Sequence, residues 1–319
     1  MSVAKQFLVT LGVIAGVWAL GWVLEDNINA YYLRVIINCG IGIILALSLN
    51  LVNGCAGQFS LGHAGFMGVG AYISVILTTV YGGAFWGSGP GVGIAIVVGG
   101  LAAAFAGYLV GLPSLRLKGD YLAIVTLGFG EIIRIIFLNI DAVGGARGMP
   151  GIPRYSNFFW VFIWAAITLV VLKRLTESSY GRAVLSIRED EVAAEAMGVN
   201  VAHYKVVAFV ISSFFAGVAG ALFAHYQGFI DPQSFNFNRS VDVVIMVVIG
   251  GMGSLTGAVI GGVLVTMMPE LLRVFEQYRM VIFPLILIVV MLVRPMGIMG
   301  YREVWHLWTR KKPLAKAET

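Results

Sequence analysis

One polar stretch, residues 173–205, holds the densest group of charged side chains in an otherwise apolar chain. Basic and acidic residues lie side by side in it: Lys173, Arg174, Arg182, Arg188, Lys205, Glu177, Glu189, Asp190, Glu191 and Glu195. Such groups become catalytic only in recognisable arrangements. The chain contains no G-x-x-x-x-G-K-S/T phosphate loop, no H-E-x-x-H, no C-x-x-C and no G-x-S-x-G after a strand pattern. The sequence therefore predicts no enzyme, no cofactor and no metal site, and any energy the protein uses comes from another chain or from an ion gradient.

The composition of the 319-residue chain indicates an integral membrane protein. Hydrophobic residues make up 59% of the sequence and charged residues 12%, which is too apolar for a surface exposed to water. The net charge of +5 says little by itself, because orientation depends on which loops carry Lys and Arg. Cys39 and Cys55 lack the spacing of a metal site and the setting of a disulfide, so both are predicted to be small buried residues.

The polar stretch is expected to lie in water, because its charges are too many for the bilayer. Within it, Arg188–Met197 is predicted to form one short helix that stops at Gly198. Four small or apolar residues share one side of that helix: Val192, Ala193, Ala196 and Met197. Glu191 and Glu195, four apart, repel each other on an isolated helix and so need a partner or open water. A helix with a small apolar face and an acidic face is suited to binding by a soluble partner protein.

Apolar runs of about membrane-spanning length recur along the chain. They are Phe7–Leu24, Val35–Val52, Phe66–Tyr81, Val92–Leu112, Tyr121–Leu138, Phe158–Leu172, Val206–Tyr226, the interrupted run Val241–Met268, and Val281–Val293. Arg116, Lys118, Lys173 and a basic tail over residues 294–319 all lie on the cytoplasmic side only if the number of crossings is even. We therefore predict a single all-α polytopic membrane helix bundle over residues 1–319, with about ten crossings, some short or broken, and both termini cytoplasmic.

Two polar or glycine-rich segments interrupt these runs, one at Gly250–Ser254 and one between Asn50 and Gly65. Non-helical backbone at membrane depth survives only where protein or a water-filled cavity covers it. The candidate residues for a translocation pathway are therefore Asn53, Gln58, Ser60, His63, Gly250, Gly251, Gly253 and Ser254. The alternatives are a glycine-rich bend used for close helix packing, polar groups that satisfy one another, and a histidine bonded into a turn rather than a proton relay.

A charge pair, Glu131 and Arg134, falls three residues apart within the apolar run Tyr121–Leu138. On a helix the two side chains share a face, and ionisable residues inside a span are usually functional. The topology above places the pair near the outer end of its span. A structural pair at the interface and a functional pair within the membrane are both compatible with the sequence.

Six segments of the sequence resemble one protein family. They are Gly57–Tyr72, Leu117–Arg134, Gly144–Pro153, Gly181–Val199, Phe215–Ala224 and Val248–Gly262. Together they resemble the permeases of bacterial ABC transporters for high-affinity branched-chain amino acid uptake, specifically the M-type subunit, over about residues 32–273. The resemblance implies a multi-pass protein of the bacterial inner membrane, in contact with lipid and not with nucleic acid. It also implies two cytoplasmic ATP-binding subunits, a homologous second permease, a periplasmic substrate-binding protein and a small neutral amino acid as cargo.

The resemblance implies a role for residues 173–205 as a cytoplasmic coupling loop, because ABC permeases insert a coupling helix into a cleft on the ATP-binding subunit. Many importers carry an E-A-A-x-x-x-G signature there, and residues 192–198 read V-A-A-E-A-M-G, without the leading Glu. That departure leaves open whether Glu191 or Glu195 contacts the ATP-binding subunit. The residues expected to couple to it are Arg188, Glu189, Glu191, Ala193, Ala194, Glu195 and Gly198.

Two other functions fit the same sequence. Urea or a short-chain amide is the alternative cargo, because related permeases share these motifs and the binding protein largely selects the solute. A gradient-driven secondary transporter or channel would explain the broken helices equally well. It explains the charged stretch poorly, because such a transporter needs no ATP-binding partner.

Overall fold

The computed structural model describes residue 21 and residues 29–80, 89–114, 119–275, 278–294, 296–300 and 303. The predicted first span Phe7–Leu24, apart from its glycine at position 21, lies outside the described residues. So do Arg116, Lys118 and most of the basic tail 294–319. One pair of two-residue strands is the only sheet in the described part, and its other regular elements are helices, which confirms the predicted all-α fold class.

The described residues form eleven α-helices: α1 (Ala30–Asn50), α2 (His63–Thr79), α3 (Gly89–Ser114), α4 (Asp120–Asn139), α5 (Phe158–Glu177), α6 (Ser179–Glu189), α7 (Glu191–Ala196), α8 (Val201–Gln227), α9 (Phe237–Gly250), α10 (Leu255–Leu271) and α11 (Arg279–Val293). A π-helix, Leu51–Cys55, continues α1. Five helices are long and apolar enough to cross a membrane, namely α1 with its π-helical end, α3, α4, α5 and α8, while α2 and α10 are shorter apolar helices. Every predicted span from Val35–Val52 onward corresponds to one or two of these helices, and the number of crossings stays a prediction.

The polar stretch holds two helices where the sequence predicts one over Arg188–Met197, and that prediction is wrong. The backbone leaves the helical conformation at Asp190, which separates α6 from α7 with φ −155° and ψ 110°. Its Oδ1 atom accepts hydrogen bonds from the backbone N–H groups of Val192 (2.9 Å) and Ala193 (3.0 Å). A capping aspartate satisfies N–H groups that have no partner in the first turn of a helix, so a new helix starts here.

Very close packing joins α2, α3 and α8. A Cβ atom added to Gly70 of α2 would lie 2.1 Å from the carbonyl oxygen of Gly217 on α8, and one added to Gly99 of α3 would lie 2.6 Å from the carbonyl oxygen of Gly70. The three backbones therefore touch with no room for side chains between them. Small residues at such crossings allow the van der Waals contact that holds membrane helices together.

The second predicted break, Gly250–Ser254, is a turn between α9 and α10, which pack against each other. Gly251 and Gly253 have φ angles of +117° and +90°, a region that side-chain-bearing residues rarely adopt. The Ser254 hydroxyl accepts a hydrogen bond from Gly257 N–H at 3.0 Å and so caps the start of α10. The interruption of the apolar run is therefore confirmed as a break between two helices.

A short antiparallel strand pair lies at the opposite end of the bundle from the polar stretch. Strand β1 (Met149–Pro150) pairs with β2 (Phe229–Ile230), with Met149 opposite Ile230. These strands adjoin the start of α5 and the end of α8, whereas the polar stretch joins the other ends of the same two helices. His225 of α8 fastens this end, because its Nε2 lies 2.9 Å from the Ser74 hydroxyl and its Nδ1 lies 3.2 Å from the Pro153 carbonyl oxygen.

Candidate coupling and solute site

The polar stretch folds into a small unit of its own at the end of α5 and α8. Ala194, only 5% exposed, forms a hydrophobic cluster with Ile187 of α6 and Val201 of α8. The Tyr180 hydroxyl donates to the Tyr204 carbonyl oxygen at 2.7 Å, which ties α6 to α8. Burial, with the neighbouring Tyr204, raises the pKa of the Tyr180 phenol, so it stays a neutral donor at physiological pH. Of the predicted coupling residues, Ala194 is thus part of the interior of this unit.

Apolar side chains project from α7 and the turn after it. Val192 is 70% exposed and Met197 is 84% exposed, and Ala193 and Ala196 between them are also exposed. The predicted apolar face therefore points away from the described part of the chain. Gly198, at φ +85°, ends α7 in the left-handed conformation, as the sequence predicts. We call the exposed surface of Val192, Ala193, Ala196 and Met197 the α7 tip.

The acidic residues of the polar stretch have different surroundings. Glu191 forms an ion pair with Lys205 of α8, with 2.9 Å between Oε2 and Nζ, and Lys205 is largely buried. Glu195 is exposed beside the α7 tip. Glu189 is exposed too, and its Oε1 accepts a hydrogen bond from Nε of Arg188 at 3.1 Å. Lys205 of this chain is therefore the partner that the sequence analysis expects for Glu191. Glu195 is left as the acidic residue that faces outward from α7.

The first predicted break contains polar groups that mostly satisfy one another. Nε2 of His63, at the start of α2, lies 2.8 Å from the hydroxyl oxygen of Ser48 on α1. Oδ1 of Asn53 accepts a hydrogen bond from Ser60 N–H at 3.1 Å. His63, Asn53 and Ser60 are all buried. For these three residues, the arrangement matches the alternative in which polar groups bond to each other and to freed backbone.

Gln58 is the exception in this segment. Its side chain is buried, and neither carboxamide atom has a hydrogen-bond partner among the described residues. Leaving a buried polar group unpaired costs about 1–3 kcal/mol. Its carboxamide can donate to and accept from a water molecule or a polar solute, so Gln58 keeps its place among the candidate pathway residues.

The two breaks meet, which the sequence alone does not predict. Oδ1 of Asn50, at the end of α1, accepts a hydrogen bond from Gly253 N–H at 2.8 Å, and its Nδ2 donates to the Ser254 carbonyl oxygen at 3.2 Å. A Cβ atom added to Gly54 would lie 2.3 Å from the nitrogen of Gly253. Asn50 begins the polar segment in the sequence but was not among the predicted pathway residues. Its signal was an amide at the end of an apolar run, just before a glycine-rich segment.

The charge pair lies in the second half of α4, which covers nearly the same residues as the predicted run, and its depth in the membrane stays a prediction. Glu131 is the twelfth of the 20 residues of α4, and its Oε2 lies 2.7 Å from Nε of Arg134. A small cavity adjoins Glu131 where α4 meets the start of α2 and the start of α9. It is lined by Leu61, Gly65, Leu127, Gly130, Glu131, Phe235, Asn236, Phe237 and Ser240. The carboxylate is therefore the charged group of a small cavity whose walls are both apolar and polar.

The family model described as branched-chain amino acid transport system, permease component, matches residues 31–292. The chain belongs to this permease family. It is 38% identical over 330 aligned residues to the high-affinity branched-chain amino acid transport permease LivM of Escherichia coli, with 92% of this chain and 75% of LivM covered. It is 28% identical to a probable LivM of Methanocaldococcus jannaschii, with 74% of this chain and 80% of that protein covered. No solved structure matches this chain.

A second permease from Escherichia coli, LivH, is 27% identical to this chain, with 82% of this chain and 92% of LivH covered. Membership in the permease family, together with five apolar helices of spanning length in the described part, makes this a multi-pass inner-membrane transport component. The matched range includes both breaks, the Glu131–Arg134 pair and the polar stretch. The family match thus covers each feature that the sequence analysis singled out as a candidate site.

Proposed function

We propose that this permease is the membrane subunit of an ATP-driven importer for branched-chain or similar small neutral amino acids. The α7 tip is the observation that carries the proposal. It places exposed Val192 and Met197 beside the outward-facing Glu195. Apolar side chains at the centre of a contact with a polar rim are typical of protein interfaces. An ATP-binding subunit docked on this cytoplasmic surface would supply the energy for transport, because the sequence contains no G-x-x-x-x-G-K-S/T phosphate loop.

The second permease is proposed to face α4, the least covered of the five spanning helices. Ile124, Gly128, Glu131 and Ile135 follow one another along one face of this helix at spacings of three and four residues. A Cβ atom added to Gly128 would meet nothing within 4 Å. A carboxylate inside a span faces protein or water rather than lipid. A homologous permease, related as LivH is to LivM, would cover this face and leave the solute pathway between the two subunits.

An amino acid is favoured as cargo by the carboxylate of Glu131. A zwitterion carries an ammonium group, which a carboxylate binds strongly, next to a hydrocarbon side chain that suits apolar walls. Leu61, Leu127, Phe235 and Phe237 supply such walls in the cavity next to Glu131. The cavity is small, so cargo would enter it only when the surrounding helices separate during the transport cycle.

Replacing Glu131 by Gln is expected to lower leucine uptake by about tenfold or more, because a hydrogen bond to a charged group contributes about 1.5–3 kcal/mol. Uptake by the assembled transporter in proteoliposomes measures the effect. The double variant E131Q/R134Q is the control, because it also removes the arginine that E131Q leaves without its ion-pair partner. Uptake restored in the double variant would contradict a role for the carboxylate in binding cargo.

Urea or a short-chain amide is the second candidate cargo, and the unpaired carboxamide of Gln58 is the observation that favours it. An amide solute can donate to and accept from that group at once. Calorimetry of the cognate binding protein with leucine and with urea distinguishes the two cargoes. Tight binding of leucine without binding of urea is expected.

The proposed function as a whole is tested by assembling the permease with two ATP-binding subunits, a second permease and the binding protein in liposomes. ATP-dependent accumulation of leucine, lost when ATP is replaced by a non-hydrolysable analogue, is expected. Uptake driven by a proton gradient in the absence of nucleotide would instead support a secondary transporter. Purification of the permease with no ATP-binding subunit under these conditions would also count against the proposal.

A further inference from the structure

Three helix ends and the segment after α11 converge where α6 contacts the bundle. They are the end of α1, the end of α9 and the start of α10, together with residues 296–300 and 303. We call this meeting point the break junction. We propose that Arg188 is a positioning residue that transmits displacement of the polar stretch to the break junction. This inference rests on the proposed function, in which an ATP-binding subunit moves α7.

Arg188 lies against the irregular backbone that follows α1. Its Nη1 donates a hydrogen bond to the Gly54 carbonyl oxygen at 3.1 Å. A Cβ atom added to Gly57, at φ +66°, would lie 2.9 Å from Cγ of Arg188, so the stem of the side chain lies on this glycine. Carbonyl groups at the end of a helix lack partners within the helix, and a cation there is favourable. Arg188 thus joins α6 to the C-terminal end of the helix formed by α1 and its π-helical turn.

The contact continues from Gly54 into the second break without a gap. Gly54 and Gly253 touch through their backbones, and Asn50 bonds to Gly253 and Ser254 at once. Tightly packed interiors transmit displacement because they have no space in which to absorb it. A shift of Gly54 therefore displaces the turn between α9 and α10.

The segment after α11 holds the second break from its other side. The N–H groups of Ile298 and Met299 donate to the carbonyl oxygens of Ile249 (2.8 Å) and Gly250 (3.1 Å), at the end of α9. The Glu303 carboxylate accepts hydrogen bonds from the N–H groups that begin α10, those of Leu255 at 2.6 Å and Thr256 at 3.0 Å. Both helices that flank the turn are therefore bonded to one segment, so the turn and its helix ends form a single connected unit.

The inward contact distinguishes Arg188 from the residues of the α7 tip. Its guanidinium bonds both to Gly54 of the bundle and to the neighbouring Glu189 carboxylate. The α7 tip points outward toward the proposed partner, whereas Arg188 points inward to the helix breaks. Loss of Arg188 is therefore expected to uncouple ATP hydrolysis from transport, so that ATP is hydrolysed but less leucine is moved, while the docking surface stays intact.

The test compares R188A, R188K and the control R182A in the complete transporter reconstituted with leucine-binding protein, ATP and leucine. Arg182 is also on α6, but its Nη1 donates within the polar stretch, to the Glu177 carbonyl oxygen at 3.2 Å, so R182A is expected to behave like the wild type. R188A is expected to keep its ATP-binding subunits and its ATPase rate while leucine moved per ATP falls about tenfold. R188K is expected to recover much of this ratio, because its ammonium group can also donate to a carbonyl oxygen.

Two results would overturn the inference. An unchanged ratio of leucine to ATP in R188A would show that the contact transmits nothing, and loss of the ATP-binding subunits from R188A would assign Arg188 to docking. If R188A fails to accumulate, R188M replaces it, because methionine keeps an unbranched side chain against Gly57 but cannot donate to the carbonyl oxygen, and the same two results apply. If the wild-type complex shows no ATP-driven uptake, the proposed function itself is wrong. If the wild type transports leucine and only the R188A result is contrary, the inference alone is wrong.

Discussion

Changing Val192 to Asp together with Met197 to Asp is expected to abolish ATP-driven uptake, by about a hundredfold or more. These side chains are the most exposed apolar groups of the α7 tip, so the variant loses little packing within the permease itself. Once an ATP-binding subunit covers them, however, two carboxylates would be taken out of water without partners, at a cost of several kcal/mol. Leucine uptake in proteoliposomes measures the loss, and co-purification of the ATP-binding subunits reports its cause.

The matched control for this variant is S179D, at the start of α6. Ser179 is also exposed in the polar stretch, and an acidic residue in the first turn of a helix is favourable. Near wild-type uptake is expected from it, since it adds negative charge to the same loop outside the α7 tip. Normal uptake in V192D/M197D would remove the assignment of the α7 tip as the docking surface. Substituting Ala194 is a less specific test, because this residue packs inside the unit and its replacement would unfold the loop itself.

Changing Gly70 to Leu is expected to prevent the accumulation of folded permease. Its added Cβ atom would lie 2.1 Å from the carbonyl oxygen and 2.3 Å from the Cα atom of Gly217. Overpacking typically costs about 1–3 kcal/mol when side chains can move, and here the obstruction is the backbone of another helix. We therefore expect a loss at or above about 3 kcal/mol, which is large against the marginal stability of most proteins. The yield of monodisperse protein in detergent and its melting temperature measure the effect.

The matched control is G128L on α4, where an added Cβ atom has open space around it. Leucine favours a helix over glycine by roughly 0.5–1 kcal/mol, so the folded yield and melting temperature are expected to stay at wild-type levels or to rise. Transport is not the readout for this pair, because Gly128 lies on the face proposed to meet the second permease. Equal melting temperatures for G70L and the wild type would contradict the close crossing of α2 and α8.

Much of the fold was predictable from local patterns. Apolar runs such as Phe158–Leu172 mark helices because a membrane helix needs an uninterrupted apolar surface, and the structure places α5 there. Glycines 251 and 253 mark a break because positive φ angles need residues without side chains. The single helix predicted over Arg188–Met197 failed for an equally local reason. Asp190 is more favourable as the cap of a new helix than inside a helix. The prediction used only the spacing of the apolar residues, which carries no information about capping.

The sequence alone was enough to establish a membrane helix bundle, its two breaks, its charged loop and a family resemblance, because each rests on the chemistry of neighbouring residues. Which of these pieces touch was decided only by tertiary packing. Asn50 and Gly253 are 203 positions apart, and Arg188 and Gly54 are 134 apart. No local pattern relates residues so distant in the chain. The folded bundle brings them together because buried amides, carbonyls and charges must find partners wherever the crossing helices place them.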